Sequence, residues 1–433
     1  MDHKNYSFIG MGKLKYLPVH CKQEEKMSFI GEDLFHFQAT LEQSGSSLEK
    51  FIQDNYVDKW AGDNIYMASA IRTTMVNAAH EYLVSQGLFN MEKVQMSPVT
   101  DPLAHDVEHV PTIHYKGMPY VVTHSMIYSK FLACINPRIK GLFVDSPNIR
   151  LEIESPQREQ RGKYLIDFSQ IDIELRRNRG VDLQTYMDNP DRVNAILKED
   201  MEKALSFFEH MIVAITSAIA DKNENEMKAL GIAIEVPKQS FPRFRHDELV
   251  KQYGRVDTEA KAGESLGSQF FWITGLKREN YDLIYPYLLP NGNKTPKSAI
   301  TSDMIFNYDL CAKALIRKTG KYMPSLEILS GAIREWLYEP IIARLIDNRI
   351  IPEAPVIEDG NITNIEALAG YGPFLFAASM KDKSGQSIFP DTFGGGLGVE
   401  RTLYSLLRGP KIKKIDDLTF FGKNPDSYPL FMY

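Results

Sequence analysis

Gly394-Gly395-Gly396-Leu397-Gly398-Val399-Glu400-Arg401 is the stretch whose reading decides the fold. Four glycines in five positions let backbone lie close to a flat ligand, with no Cβ in the way. The run that follows, Thr402 to Leu407, predicts a helix. Its first turn would offer free N–H groups and a positive dipole end to phosphate. Arg401, one turn in, can stack on a base or meet a phosphate. The same residues also suit a plain strand-to-helix turn with a structural ion pair, so their meaning depends on what accompanies them.

Two other segments accompany them. Ile149-Arg150-Leu151-Glu152 leads into a polar loop carrying Arg158, Arg161 and Lys163, cations suited to polyphosphate. Beyond it, Leu165 to Leu175 alternates apolar and polar residues at the period of a half-buried strand. In an extended hairpin residues two apart share a face, so Arg150 and Glu152 point together, as do Phe168, Gln170, Asp172 and Glu174. The third segment is Glu327-Ile328-Leu329-Ser330-Gly331-Ala332-Ile333-Arg334. Glu327 and Ser330 supply oxygens of the kind Mg²⁺ prefers, and Arg334 is a fork for a carboxylate. Any one of these residues alone is more simply a structural or solvated side chain.

The chain around these segments has 433 residues, 43% of them hydrophobic and 24% charged, the balance of an ordinary globular protein. Its net charge of −6 gives no overall positive field to gather nucleic acid. Cys21, Cys134 and Cys311 make no metal or disulfide pattern, which fits a reducing cytoplasm. The N-terminus lacks the charged-then-apolar pattern of a signal sequence, and no run of about 18 apolar residues suggests a membrane span.

Apolar spacing predicts a helix over 65–86, ended by Gly87 and followed by an extended stretch to Pro98. Further helices are expected near Ile127 to Ile135, over 190–230 as one long helix or a pair, over Ile333 to Asp347, and from Gly398 to Leu407. Strands are expected at Ile139 to Val144, Ile149 to Ile153, Phe270 to Thr274, Leu283 to Leu288, Met304 to Asp309 and Leu326 to Leu329. Strands in succession without strict βαβ alternation predict an α+β fold, an antiparallel sheet flanked by helices. Residues 1–65 read as an appended arm or small subdomain and 66–433 as the catalytic domain, with 190–230 a helical insertion.

Taken together and in this order, the segments resemble the class II aminoacyl-tRNA synthetase catalytic domain, in its aspartyl/asparaginyl branch, and the related ammonia-dependent asparagine synthetases. Helix 65–86 with Pro98 is similar to the first motif, Arg150 to Glu174 to the second, and Gly394 to Arg401 to the third. The 327–334 run resembles a branch-specific signature, and Phe241-Pro242-Arg243 resembles a short element preceding a helix. The resemblance implies ATP and Mg²⁺ as cofactors. Arg150, Arg401 and Glu327 would be catalytic. Glu152, Arg158, Arg161, Lys163, Phe168, Gly396 and Gly398 would join them in binding ATP, with adenine between Phe168 and Arg401. Glu327 and Ser330 would hold the metal. Asp101, Ser125, Lys130 and Arg334 would bind an amino acid or dicarboxylate, Lys130 and Arg334 gripping its non-reacting carboxylate. It also implies a homodimer formed through helix 65–86 and Pro98.

Some residues depart from the family pattern. Ile127 stands where a glutamine helps bind substrate, and Lys163-Tyr164 where the synthetases carry Arg-His. The second-motif loop is longer. Residues 1–65 are too few for the complete anticodon-binding barrel, so tRNA is not the expected partner. The expected activity is therefore adenylation of an aspartate-like acid, followed by transfer to ammonia or a small amine. The alternatives are a truncated synthetase-like enzyme charging tRNA or a carrier protein, with Arg317-Lys318, Lys321, Lys411 and Lys413-Lys414 as its basic face, and a non-catalytic regulatory paralogue.

Overall fold

In the computed structural model the described residues are 38–39, 41–43, 45–97, 112–150, 162–177, 181–278, 282–289 and 291–420. An eight-stranded sheet forms the centre. Its strands in chain order are β1 (Phe89–Asn90), β2 (Gly141–Ile149), β3 (Asp167–Arg176), β4 (Arg243–Arg245), β5 (Phe270–Thr274), β6 (Asn307–Ala312), β7 (Leu326–Ile333) and β8 (Thr392–Gly398). Across the sheet they run β1-β2-β3-β8-β7-β6-β5-β4. The interior pairs are antiparallel, as expected, but both edge pairs, β1 with β2 and β4 with β5, are parallel.

One face of this sheet carries the apolar layer. Helix α1 (Asp63–Ser85) buries Ile71, Met75, Ala78, Ala79 and Leu83. Helix α2 (Ile127–Ala133) is short and lies over the opposite, polar face, where its Lys130 reaches β3. Helix α3 (Pro190–Lys222) is 33 residues long and begins with proline at its first turn, where no N–H is needed. Its inward stripe of Val193, Leu197, Leu205, Phe208, Ile212, Ile215 and Ile219 recurs at helical spacing and is buried. By length and composition α3 could cross a membrane, which the sequence reading did not anticipate, but half of its most apolar window is buried inside the protein. A second helix, Glu224–Leu230, completes the expected pair and ends at Gly231 in the left-handed conformation.

Three sequence expectations change. The strand expected at 139–144 instead runs from Gly141 to Ile149 as β2, unbroken through Asp145-Ser146-Pro147-Asn148, while residues 151–153 of the second expected strand lie outside the described residues. Pro147 is tolerated because the Ile149 N–H, two residues on and pointing the same way, bonds Thr123 outside the β2–β3 ladder. Thus the missing Pro147 donor faces the sheet edge. The segment 283–288 makes only isolated bridges, with Pro286 unable to donate to a ladder. The helix expected from Ile333 starts at Tyr338 instead, as α4 (Tyr338–Asp347), because β7 runs on through Ile333 and Arg334 remains bridged to Asp282. Helix α5 (Val399–Leu407) follows β8 directly, as the glycine run predicts.

Candidate active site

Antiparallel register lines up side chains across the polar face of the sheet. One row runs Asp172 (β3), Gly396 (β8), Ser330 (β7) and Asp309 (β6), and the next runs Glu174, Gly394, Ala332 and Asn307. Directly opposed residues share a face, so in these rows β3, β7 and β6 deliver polar side chains to one surface, with the β8 glycines between them. The glycines make room for them. A Cβ on Gly394 would collide with the Glu174 carboxylate and the Ile173 carbonyl, and one on Gly396 would stand 2.8 Å from Asp172 Oδ1. Gly398 has ordinary space, its Cβ position 3.6 Å from Arg401 Cβ. The glycine run is thus the negative imprint of two buried carboxylates.

Around these carboxylates is a buried ionic network. Lys130 Nζ lies 3.1 Å from Asp172 Oδ1 and 3.6 Å from Glu174 Oε2. Arg334 Nε lies 3.4 Å from Glu174 Oε1, and its Nη1 lies 3.4 Å from Asp282 Oδ1. Thr392 Oγ1 donates to Glu174 at 2.6 Å. The expected clamp pair, Lys130 and Arg334, is therefore brought together, and what lies between the two is Glu174. Lys130, Asp172, Glu174, Asp282 and Arg334 are all at most 5% exposed. Charges so far from water persist only where opposite charges and hydrogen bonds compensate them.

Arg278 extends the network. It contacts Asp282, Asp309 and the carbonyls of Tyr308 and Gly331. Burial pushes the Asp309 carboxyl up to about 7, against the lowering effect of Arg278, and Glu327 pushes it the same way as burial. Ser330 stands directly opposite Asp309 in the β6–β7 register and pulls its carboxyl the other way, downward. The Asp309 and Glu327 carboxylates, whose mutual repulsion favours a shared cation, form with the Ser330 hydroxyl a hard-oxygen donor set that fits Mg²⁺. Among the described residues no three His, Cys, Asp or Glu side chains form a metal cluster alone. Such a site would complete its shell with phosphate and water.

The arginines flank this centre. Arg401 Nη1 lies 3.4 Å from Glu327 Oε2, and its guanidinium stands 5.7 Å from the Tyr164 ring centre. Arg150 stands 5.3 Å from the Phe168 ring centre and donates through Nε and Nη2 to the His124 carbonyl at 3.2 and 3.1 Å. The aromatic ring beside Arg401 is Tyr164, while Phe168 is stacked by Arg150. Lys163 reaches Glu259 at 3.5 Å. Ser125 Oγ accepts the Ile127 N–H at 3.3 Å, which ties it to the start of α2. Asp101, Glu152, Arg158, Arg161 and Pro98 lie outside the described residues.

The sequence reading gave no role to Asp309, Arg278, Asp282, Thr392 or Tyr164. Asp309 had a legible signal, since Asn307-Tyr308-Asp309 places polar residues on alternate positions of an apolar strand, the pattern already used for β3. Arg278 and Asp282 lie in irregular backbone and carry no periodic signal.

This sheet order, with the glycine strand at its centre and a polar face built from β3, β6, β7 and β8, is the fold of the class II aminoacyl-tRNA synthetase catalytic domain. The solved structure of asparaginyl-tRNA synthetase from Pyrococcus horikoshii, complexed with asparaginyl-adenylate, superposes with a TM-score of 0.60, covering 90% of this chain and 74% of that one at 15% identity. Aspartyl-tRNA synthetase from Entamoeba histolytica superposes at 0.51, covering 94% and 63% at 15% identity. In sequence, the chain is 20% identical over 291 residues to the aspartate–tRNA(Asp) ligase of Pyrococcus furiosus, covering 66% of this chain and 57% of that protein. It is 25% identical over 156 residues to the asparagine–tRNA ligase of Thermoplasma acidophilum, covering 34% and 33%. The matches therefore span less than two thirds of these curated relatives. No family model matches the chain.

Proposed function

We propose that this chain is an ATP-dependent ligase that converts an aspartate-like acid to its acyl-adenylate and passes the acyl group to ammonia or a small amine. The observation that carries the first half is the convergence of Lys130 and Arg334 beside the Asp309, Ser330 and Glu327 oxygens on one sheet face, with Arg150 and Arg401 at its flanks. Lys130 and Arg334 would grip the non-reacting carboxylate of the acid. Arg150 would hold the reacting carboxylate against the α-phosphate. A carboxylate oxygen then attacks the α-phosphorus, the new O–P bond forms, the α–β bridging P–O bond breaks, and pyrophosphate leaves.

Mg²⁺, held by Glu327, Asp309 and Ser330, would offset the charge that develops on the phosphates. No protein nucleophile is needed, and the residues contribute by positioning and by charge. In the second half the amine nitrogen attacks the acyl carbon. The C–N bond forms, the C–O bond to AMP breaks, and the nitrogen releases a proton to solvent. We also propose a homodimer through α1, consistent with the exposure of Tyr66 on α1 and Phe89 beside it.

A second reading, in which the acyl group goes to tRNA, has its own observation. Arg317, Lys318 and Lys321 are exposed, and Gly409 packs against Ile316 and Ile232, which brings them near exposed Lys411, Lys413 and Lys414. The relatives are also tRNA ligases by name. The full-length chain with ATP, Mg²⁺ and L-aspartate, offered ammonium, methylamine or total tRNA in parallel, separates the two. An amide identified by mass with ammonium or methylamine supports the first reading. Acylated tRNA without amide would replace it with the second.

A further inference from the structure

Ser146 and Asn148 are polar side chains on β2 that the mechanism above leaves unused, and both are fully buried. Their register partners on β3 are Gln170 and Phe168, so they stand on the same sheet face as Asp172 and Glu174. Asn148 Nδ2 donates to the Ser146 carbonyl at 3.1 Å. Because a carbonyl only accepts, this bond fixes the orientation of the amide and leaves Oδ1 as its other end. Asn148 Oδ1 and Ser146 Oγ have no hydrogen-bond partner among the described residues. Buried polar atoms are seldom left so; the Asn148 oxygen can only accept and the Ser146 hydroxyl can accept as well, so one donor beyond those the described residues supply would satisfy both.

Arg150 follows Asn148 by two residues in the same extended backbone, so it serves the same face at a spacing of about 7 Å. If Arg150 holds the acid's reacting carboxylate, a donor at Asn148 stands one strand repeat from it on the same face. We propose that Ser146 and Asn148 form the subsite for the nitrogen nucleophile, an ammonium ion or a very small primary amine. This rests on the amide-forming reading above. An ammonium or aminium group supplies several N–H donors at once and so meets both acceptors. On leaving one proton to solvent it becomes the free amine that attacks the adenylate. Full burial restricts the occupant to about the size of ammonium or methylamine.

The same ammonium chemistry could come instead from the α-amino group of the acid, and kinetics distinguish the two sources. The full-length enzyme is assayed for amide formation with ammonium chloride, methylamine and butylamine, and for pyrophosphate exchange with the acid. Asn148→Leu and Ser146→Ala should each raise KM for ammonium at least tenfold, well beyond any change in KM for the acid. Asn148→Asp, which keeps an acceptor oxygen, should bring the ammonium KM back to within about threefold of the original, and butylamine should be at least tenfold poorer than methylamine. An unchanged ammonium KM in Asn148→Leu, or a rise in the acid KM instead, overturns the subsite. Exchange by the unaltered enzyme with no amide from any of the three amines overturns it too, yet leaves adenylation standing. Absence of exchange removes both.

Discussion

Glu174 shows how much of this site depends on single atoms. Its two oxygens meet Lys130, Arg334 and Thr392, and its carboxylate occupies the space that a side chain on Gly394 would need. Removing one partner from such a buried set is costly because the remaining charge is stranded; the usual loss is about 3–5 kcal/mol. Lys130→Met should therefore lower unfolding free energy by about that amount in denaturant titrations, and Lys130→Met combined with Glu174→Gln should recover part of it. A loss under about 1 kcal/mol would mean that Lys130 is not bearing on these carboxylates. Glu327 is half-buried and pairs only loosely with Arg401, so its main contribution is expected to be to metal. Glu327→Ala should cut Mg²⁺-dependent pyrophosphate exchange at least a hundredfold with little change in melting temperature. Undiminished exchange would remove Glu327 from the metal set.

At the scale of elements, β8 and its neighbours explain why a glycine run opens a helix here. Gly394 and Gly396 clear space for the carboxylates of β3, whereas Gly398 abuts nothing tightly and leads into α5. Substitution should separate the two roles. Gly394→Ala forces a Cβ onto both a carboxylate and a backbone carbonyl, and neither can move far. It should reduce thermal stability sharply in calorimetry, while Gly398→Ala should be nearly neutral in stability. Equal effects would show that the strand tolerates a side chain at 394.

The alternation of β3 and the helix after the glycine run were legible in the sequence, but the run itself, read as a turn into that helix, is a strand that glycines with no period could not announce. The edges were not legible either. Parallel pairing at β1–β2 and β4–β5 involves strands of two and three residues, too short to carry a period. The unbroken course of β2 was hidden by Asp145-Ser146-Pro147-Asn148, a turn-like run that the structure holds straight because Pro147 faces the sheet edge.

Across the whole molecule, the candidate site residues are contributed by segments more than 250 positions apart, from Lys130 to Arg401, and sheet register together with the packing of the helices that carry those two brings them together. That is why composition and charge said so little about chemistry, and why the order of motifs said more. The cations and carboxylates with sequence signatures, Arg150, Lys130, Glu327, Arg334 and Arg401, do lie on or beside one polar face. The groups that complete it, Arg278 and Asp282, come from irregular backbone and depend on tertiary packing for their positions.

The central claim is adenylation, and it can be observed before any acceptor is known. The full-length chain mixed with ATP, Mg²⁺ and L-aspartate, with no amine and no tRNA, should release pyrophosphate in an acid-dependent burst and yield an aspartyl-adenylate by mass. It should also exchange labelled pyrophosphate into ATP. Absence of burst, adenylate and exchange with aspartate and across a panel of amino and dicarboxylic acids would contradict the account.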